Sequence, residues 1–265
     1  MLDLVFPEQR RISIPVRHKS HIARSLKGVG IHAFEPLSQA IFLAAVEGRH
    51  GAVLDVGANI GLFSMCVASA TGRDVFAFEP FEEAAQTLED VAKAEELPIS
   101  VIRSAVSDRD GTATFYLSKK SDMSNSLDES HREHRGARDV PVRTLDGWVG
   151  DRSIAAIKID TERTEMAVLS GMTNLARRDR PVILVEILSD NDAEDLGVWM
   201  DALAYRSVPL GASEVYARAL GPFRLLDAEG DGRNCLLIPD EIRLDDAFFA
   251  RVAFWVDAIR ACALR

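Results

Sequence analysis

The sequence predicts an α/β chain built on a doubly wound, mostly parallel sheet, and three observations carry that expectation. From Gly51 onward short apolar runs alternate with helical stretches, at 52–56, 60–70, 74–78, 81–96 and 98–103, a βαβαβ rhythm. The rhythm returns at 153–159, 162–176, 181–187 and 193–205. The first run ends in an acid followed by a glycine-rich turn, Val53-Leu54-Asp55-Val56-Gly57-Ala58-Asn59-Ile60-Gly61. Open α/β sheets hold their ligands at that carboxyl end of a strand.

Taken in order, residues 1–50 precede the first strong strand and read as an N-terminal cover, with a helix around Pro36 to Val46 that places Leu37, Ile41, Ala44 and Ala45 on one face. Between Arg10 and Lys27 stand six Lys or Arg residues and no acid, with His18 and His21 among them, which reads as solvated surface or as an anionic-substrate patch. Residues 51–239 form the main domain. It is interrupted at about 104–150, where Gly111 to Leu117 and Asp139 to Arg143 read as strands around a polar segment, SKKSDMSNSLDESHREHRGAR. That 118–138 segment is expected either to be disordered or to order as a lid over substrate. Leu225-Leu226, the turn-rich AEGDGRN and CLLIP suggest an antiparallel pair closing one edge. Residues 240–265 read as an amphipathic helix packed on the domain, with Leu244, Phe248, Val252, Trp255 and Ile259 three or four apart.

Composition narrows the function classes. The 265 residues are 47% hydrophobic and 27% charged, proportions of a folded globular protein. A net charge of −10 disfavours general nucleic-acid binding. No apolar stretch reaches the length of a membrane span and the start lacks the order of a signal peptide, so a cytoplasmic, membrane-free protein is expected. Cys66, Cys235 and Cys262 are far apart and without a CxxC pair, so they read as buried thiols, and no metal site is expected. Composition assigns no oligomeric state.

The chemistry begins at the glycine turn. Gly57 and Gly61 lack a Cβ, so a ligand can lie against the backbone and the chain can adopt angles closed to other residues. The next strand ends Phe78-Glu79-Pro80, placing a second acid 24 residues after Asp55, where it can accept ribose hydroxyls of a nucleoside. A dinucleotide fingerprint needs GxGxxG, and here the residue two before Gly57 is an aspartate. A carboxylate facing that turn repels a pyrophosphate but suits a cofactor bearing an ammonium and a sulfonium. S-adenosyl-L-methionine has both and is favoured over NAD, the cofactor of the oxidoreductase alternative.

On these residues the chain resembles the FkbM-type family of S-adenosylmethionine-dependent methyltransferases. The resemblance runs from about Ala52 to Pro239 through VLDVGANIGLFS at 53–64, FEP at 78–80, AVSDRDGTATFY at 105–116, VPVRTLDGW at 140–148, IKIDTERTE at 157–165, LVEI at 184–187 and NCLLIP at 234–239. It implies a Rossmann-like, seven-stranded methyltransferase sheet and O-methylation of a small-molecule hydroxyl on a sugar, polyketide or other natural product. It further implies cofactor contacts from Asp55, Gly57, Ala58, Asn59 and Gly61 around the methionine part, from Glu79 and Pro80 at the ribose, and from Ser104 and Ala105 near adenine.

The family usually has Asp-x-Glu-Gly-x-Glu where this chain reads Asp160-Thr161-Glu162-Arg163-Thr164-Glu165. Either a tight approach made by the glycine is lost, or Arg163 offers a guanidinium to an anionic acceptor, or Arg163 lies in solvent. Asp160, Glu162 and Glu186 stand at strand ends on the ligand-binding edge. Asp160 is expected to accept the acceptor's proton or orient it, with Glu162 and Glu186 assisting, and each can instead cap a helix or pair with a base. Ser124, Asn125 and Ser126 are expected against a polyhydroxylated acceptor, His131, His134 and His32 are further candidate bases, and Phe63, Phe81 and Trp148 are candidate pocket walls. A non-catalytic nucleoside-binding or partner-binding module on the same fold is the remaining alternative.

Overall fold

The computed structural model describes residues 1–16, 18–187, 190–210 and 233–263. In chain order a hairpin, β1 (Leu2–Phe6) and β2 (Arg10–Ile14), leads into helices α1 (His21–Leu26) and α2 (Pro36–Glu47). The alternating region follows as β3 (Ala52–Val56), α3 (Leu62–Thr71), β4 (Val75–Phe78), α4 (Glu82–Ala94) and β5 (Ile99–Ile102). The insertion contains β6 (Ala105–Val106), β7 (Gly111–Ser118) and β8 (His134–Arg143). After it come α5 (Leu145–Val149), β9 (Ile154–Ile159), α6 (Glu165–Ser170), α7 (Thr173–Asp179), β10 (Val182–Glu186), α8 (Asp190–Leu203), β11 (Tyr205–Pro209), β12 (Asn234–Pro239) and α9 (Asp246–Ala261).

Seven strands make the central sheet in the order β11-β12-β10-β9-β3-β4-β5. Strands β3, β4, β5, β9 and β10 pair in parallel, and β12 runs antiparallel to both β10 and β11. The order reverses at β3, the first strand of the alternating region, so the carboxyl ends of β3 and β9 border the crevice in which such sheets bind ligands. Alternation along each strand sends side chains to two apolar layers. Val53, Ala77, Ala156, Leu184 and Leu236 pack with the β1–β2 hairpin, α2, α3 and α9. Leu54, Phe78, Ile157, Ile183 and Leu237 pack with α5 to α8. Nearly continuous apolar runs such as Ile154–Ile159, broken by Lys158, follow from burial on both faces, as a parallel sheet between helices requires.

Several expected elements differ. The 1–50 segment carries a hairpin and a short helix besides the expected α2. The expected single helix over 162–176 is two, because the chain bends at Gly171, where a Cβ would stand 2.1 Å from the Ser107 carbonyl oxygen. The antiparallel member of the edge pair is β12, and its outer partner is β11, which the helical stretch at 193–205 had partly absorbed. The Leu225-Leu226 strand lies outside the described residues. The polar insertion folds back on itself: β7 and β8 pair antiparallel, Ser126 bridges to Tyr116, and Asp122–Ser124 form a single tight turn capped by the Ser121 side chain. Residues 240–265 contain α9, capped by Asp245 and burying Phe248, Val252, Trp255 and Ile259 on the domain. All three cysteines are buried free thiols. Among the described residues no helix is long and apolar enough to cross a membrane.

Candidate active site

The turn after β3 is held open by backbone hydrogen bonds. Gly57 and Ala58 N–H both donate to the Phe78 carbonyl, at 3.0 and 3.1 Å. Gly57, Asn59 and Gly61 take φ of 80°, 50° and 85°. The space left by the missing Cβ atoms is filled by protein. A Cβ on Gly57 would stand 1.8 Å from the Asp160 carbonyl oxygen, and one on Gly61 would stand 2.2 Å from Leu88. Gly57 therefore lets the ends of β3 and β9 close on each other, with Asp160 N–H donating to the Val56 carbonyl at 3.0 Å.

Asp55 is 2% exposed. Its Oδ2 accepts from Ser64 N–H at 3.0 Å and from Ser64 Oγ at 2.6 Å, while Oδ1 is buried with no hydrogen-bond partner among the described residues. Burial raises its carboxyl above the usual carboxylate range, and the nearby Lys158 ammonium offsets part of that. Glu79 accepts Asn59 N–H on Oε2 and Phe81 N–H on Oε1, both at 2.7 Å. Burial outweighs those two bonds and pushes its carboxyl up to about 7. Ser104, on the far side of β4, is buried with its Oγ unpaired among the described residues.

These groups border one cavity of about 840 Å³, including its open mouth, at the carboxyl edge of β3, β4 and β9. Its floor and rim are Asp55, Gly57, Ala58, Asn59, Glu79, Pro80, Ser104, Ala105, Asp160 and Glu162. Its roof is Ile22 and Phe34 from the cover with Met123, Asn125 and Leu127 from the insertion. Gly61 stands one turn away at the start of α3 and is absent from this lining. The described lining has five carboxylates, Asp55, Glu79, Asp122, Asp160 and Glu162, against the single ammonium of Lys158, so the space favours a cation.

Arg163 is exposed and outside the lining, and that removes the anionic-acceptor expectation attached to it. Its φ of 86°, next to Glu162 at 58°, is the left-handed geometry that glycine supplies in the family pattern. Ser124 also lies outside the lining. Its N–H donates to the Ser121 carbonyl within the insertion's turn. Asn125 is buried and lines the cavity. Its Oδ1 accepts Ser118 N–H at 2.9 Å, which orients the amide and leaves Nδ2 without a partner among the described residues. Glu186 is likewise outside the lining. Burial and the charges of Asp160 and Glu162 push its carboxyl well above the usual carboxylate range. Of the pocket-wall aromatics Phe63 lines the cavity, whereas Phe81 stacks on His18 and Trp148 packs on Phe76 and Phe78 in the core. His32 and His134 are outside the lining.

Three functional groups had not been singled out. Lys158 is 5% exposed inside β9, with Nζ 3.0 Å from Asp160 Oδ2 and 4.9 Å from the Phe63 ring centre. Burial works against its charge, but Asp160 and Asp55 outweigh burial and raise its pKa. A charged residue in an otherwise apolar strand was the available signal. Asp122, which lines the roof, meets His18 Nε2 at 2.9 Å and His21 N–H at 2.7 Å. Those bonds outweigh burial and hold its carboxyl below the usual range, and they tie the cover to the insertion. No local pattern signals a pair so far apart in the chain. Glu165 takes Thr161 N–H, Thr161 Oγ1 and Arg163 N–H on one oxygen, at 2.8, 3.1 and 3.2 Å, and so shapes the loop bearing Glu162.

The chain has recognisable relatives. It is 27% identical to the AMB antimetabolite synthetase AmbE of Pseudomonas aeruginosa over 70% of this chain, and it spans only 11% of that much longer protein. Among solved structures it is similar to a methyltransferase FkbM from Methylobacillus flagellatus KT, at 18% identity and a TM-score of 0.49, covering 71% of this chain and 43% of that one. It is also similar to a SAM-dependent O-methyltransferase from Thermotoga maritima, at 11% identity and a TM-score of 0.46, covering 79% of this chain and 67% of that one. The family model described as the methyltransferase FkbM domain matches residues 55–207, more than half of the chain. From Asp55 in the β3 turn through β11, then, the chain belongs to the FkbM methyltransferase domain family.

Proposed function

We propose that this chain is an S-adenosyl-L-methionine-dependent methyltransferase acting on a hydroxyl of a small molecule. The observation that carries the proposal is a set of buried polar atoms left unsatisfied at one acidic cavity: among the described residues Asp55 Oδ1 and Ser104 Oγ have no partner, and Glu79 keeps acceptor capacity beyond its two N–H contacts. Unpaired buried polar atoms cost about 1–3 kcal/mol each, so a ligand that satisfies them binds with that advantage. The donor set fits the cofactor: Asp55, with Gly57, Ala58 and Asn59, would hold the amino-acid end, Glu79 and Pro80 the ribose, and Ser104 and Ala105 the adenine. When bound there the cofactor supplies a methyl group made electrophilic by a sulfonium.

The protein's own part is alignment and proton management. Walls from the cover and the insertion exclude water, and fixing two reactants in line supplies about 7–11 kcal/mol of a typical barrier reduction. Asp160, with Lys158 Nζ 3.0 Å from its Oδ2, orients the acceptor hydroxyl and takes up its proton, with Glu162 beside it on the rim.

Calorimetry with S-adenosylhomocysteine tests the donor site. Micromolar binding that weakens at least tenfold in Asp55→Asn and Glu79→Gln supports it, and no heat from well-folded protein overturns it. Methyl-labelled donor incubated with extracts of candidate acceptors tests the chemistry. Label on a base-stable ether is expected, and donor binding without transfer to any acceptor would instead favour a binding module.

A further inference from the structure

We propose that a basic cavity near the amino ends of the parallel strands binds an amphipathic anion, a carboxylate carried on a medium-length apolar chain. The cavity measures about 650 Å³ including its open mouth, within the range of small-molecule sites. It lies between the end of α2, the first residue of β10, the strand β12 and the start of α9, and it shares no lining residue with the acidic cavity. Its apolar floor is Ala44, Val182, Leu236 and Ile238, with Phe248 beside them. Arg49, Arg243 and Arg251 stand around that floor against one carboxylate, Asp245. Asp245 Oδ1 already accepts Phe248 N–H at 2.9 Å as the cap of α9.

Three arginines gathered on an apolar floor run against the net charge of −10, and contacts within the chain do not use them up. Arg251 Nε donates to the Ala44 carbonyl at 3.4 Å, and its guanidinium carbon stands 5.8 Å from the Phe248 ring centre. Those contacts hold the group on the wall and leave both Nη atoms without a hydrogen bond among the described residues. Arg49 donates from Nε to the Ala155 carbonyl and from Nη2 to those of Asp179 and Arg180, at 3.0, 3.2 and 2.6 Å, which fixes its position. Burial is the largest influence on its titration and works against the charge. Asp179 and Glu241 act the other way, but they are paired with Arg178 and Arg180. Arg243 is exposed and makes no side-chain hydrogen bond or ion pair among the described residues. A carboxylate takes two parallel N–H bonds from a guanidinium, and the apolar floor selects an organic chain over inorganic phosphate. The acidic cavity repels the same ligand. This site does not depend on the methyltransferase reading.

Calorimetry of octanoate on the full chain, with octanol and inorganic phosphate as comparison ligands, tests the site. One octanoate per chain is expected at a sub-millimolar Kd, with octanol and phosphate each at least tenfold weaker. Arg251→Gln and Arg243→Gln should each weaken octanoate at least tenfold. Because Arg243 is exposed, its variant serves if Arg251→Gln does not fold. No octanoate binding at millimolar concentration, or binding unchanged in the folded variants, overturns the site. Octanol binding as tightly as octanoate would reveal an apolar cavity with no anion recognition, and phosphate binding as tightly would reveal an anion patch with no chain recognition. Either outcome rejects an amphipathic ligand.

Discussion

Replacing Arg163 by glycine should make the protein more stable. Arg163 sits at φ 86° and its neighbour Glu162 at φ 58°, two consecutive side-chain-bearing residues in left-handed backbone. Such a conformation costs about 1–2 kcal/mol for a residue with a Cβ. Glycine removes that strain but returns roughly 0.5–1 kcal/mol through the greater freedom of the unfolded chain. The guanidinium is exposed and outside the cavity, and the hydrogen bond from the residue to Glu165 uses the backbone N–H, which glycine keeps. The net gain is therefore about 0.5–1 kcal/mol, which for a chain of this size raises Tm by roughly 1–4 °C. Urea unfolding and a thermal scan on the two proteins measure it. A fall in stability, or a changed preference between charged and neutral acceptors, would refute the reasoning, because either outcome requires the guanidinium to make a contact that its position denies.

Further predictions concern the strands and acids around the cavity. Gly57→Ala should lose about 3–5 kcal/mol, since its Cβ would lie 1.8 Å from the Asp160 carbonyl and its φ is 80°; a loss under about 1 kcal/mol in denaturant titration would show that the two strand ends do not depend on each other. Glu79, with its carboxyl pushed up to about 7 from an ordinary 4.5, binds more protons folded than unfolded between those values. Its contribution to stability is thus fully present below about 4.5 and lost as pH rises through 7, while S-adenosylhomocysteine affinity rises over the same range as the carboxylate forms. Urea midpoints and calorimetry at pH 5, 6, 7 and 8 should diverge in that way, and Glu79→Gln should flatten both trends; identical slopes in the variant would assign them to other groups. Asp160→Asn should lower kcat by at least a hundredfold while changing donor Kd less than threefold, and equal losses in both would make Asp160 a binding residue.

Local pattern was sufficient wherever one stretch of chain determines its own environment. The β3 strand and its glycine turn, the acid at the end of β4, and the β9 and β10 strands could be read from apolar runs bounded by Gly, Asp and Pro, because a strand buried on both faces is apolar along most of its length, Asp55 and Lys158 being the exceptions. Even the departure at Arg163 was visible, although only φ revealed that the residue retains the glycine geometry and turns away from the cavity. The β1–β2 hairpin, by contrast, was passed over despite the alternation in Leu4, Phe6, Ile12 and Ile14, since the basic residues around it drew a surface reading.

Periodicity and spacing alone determined the sheet, its ligand-binding edge and the acids that stand there. Tertiary structure decided which of those acids share a cavity, how burial shifts their titration, and what roofs the space. Asp122 meets His18 across 104 positions of chain, and His131 meets Glu162 across 31. Protonation and pairing depend on distance and burial in space, and no property of a residue's sequence neighbours encodes either.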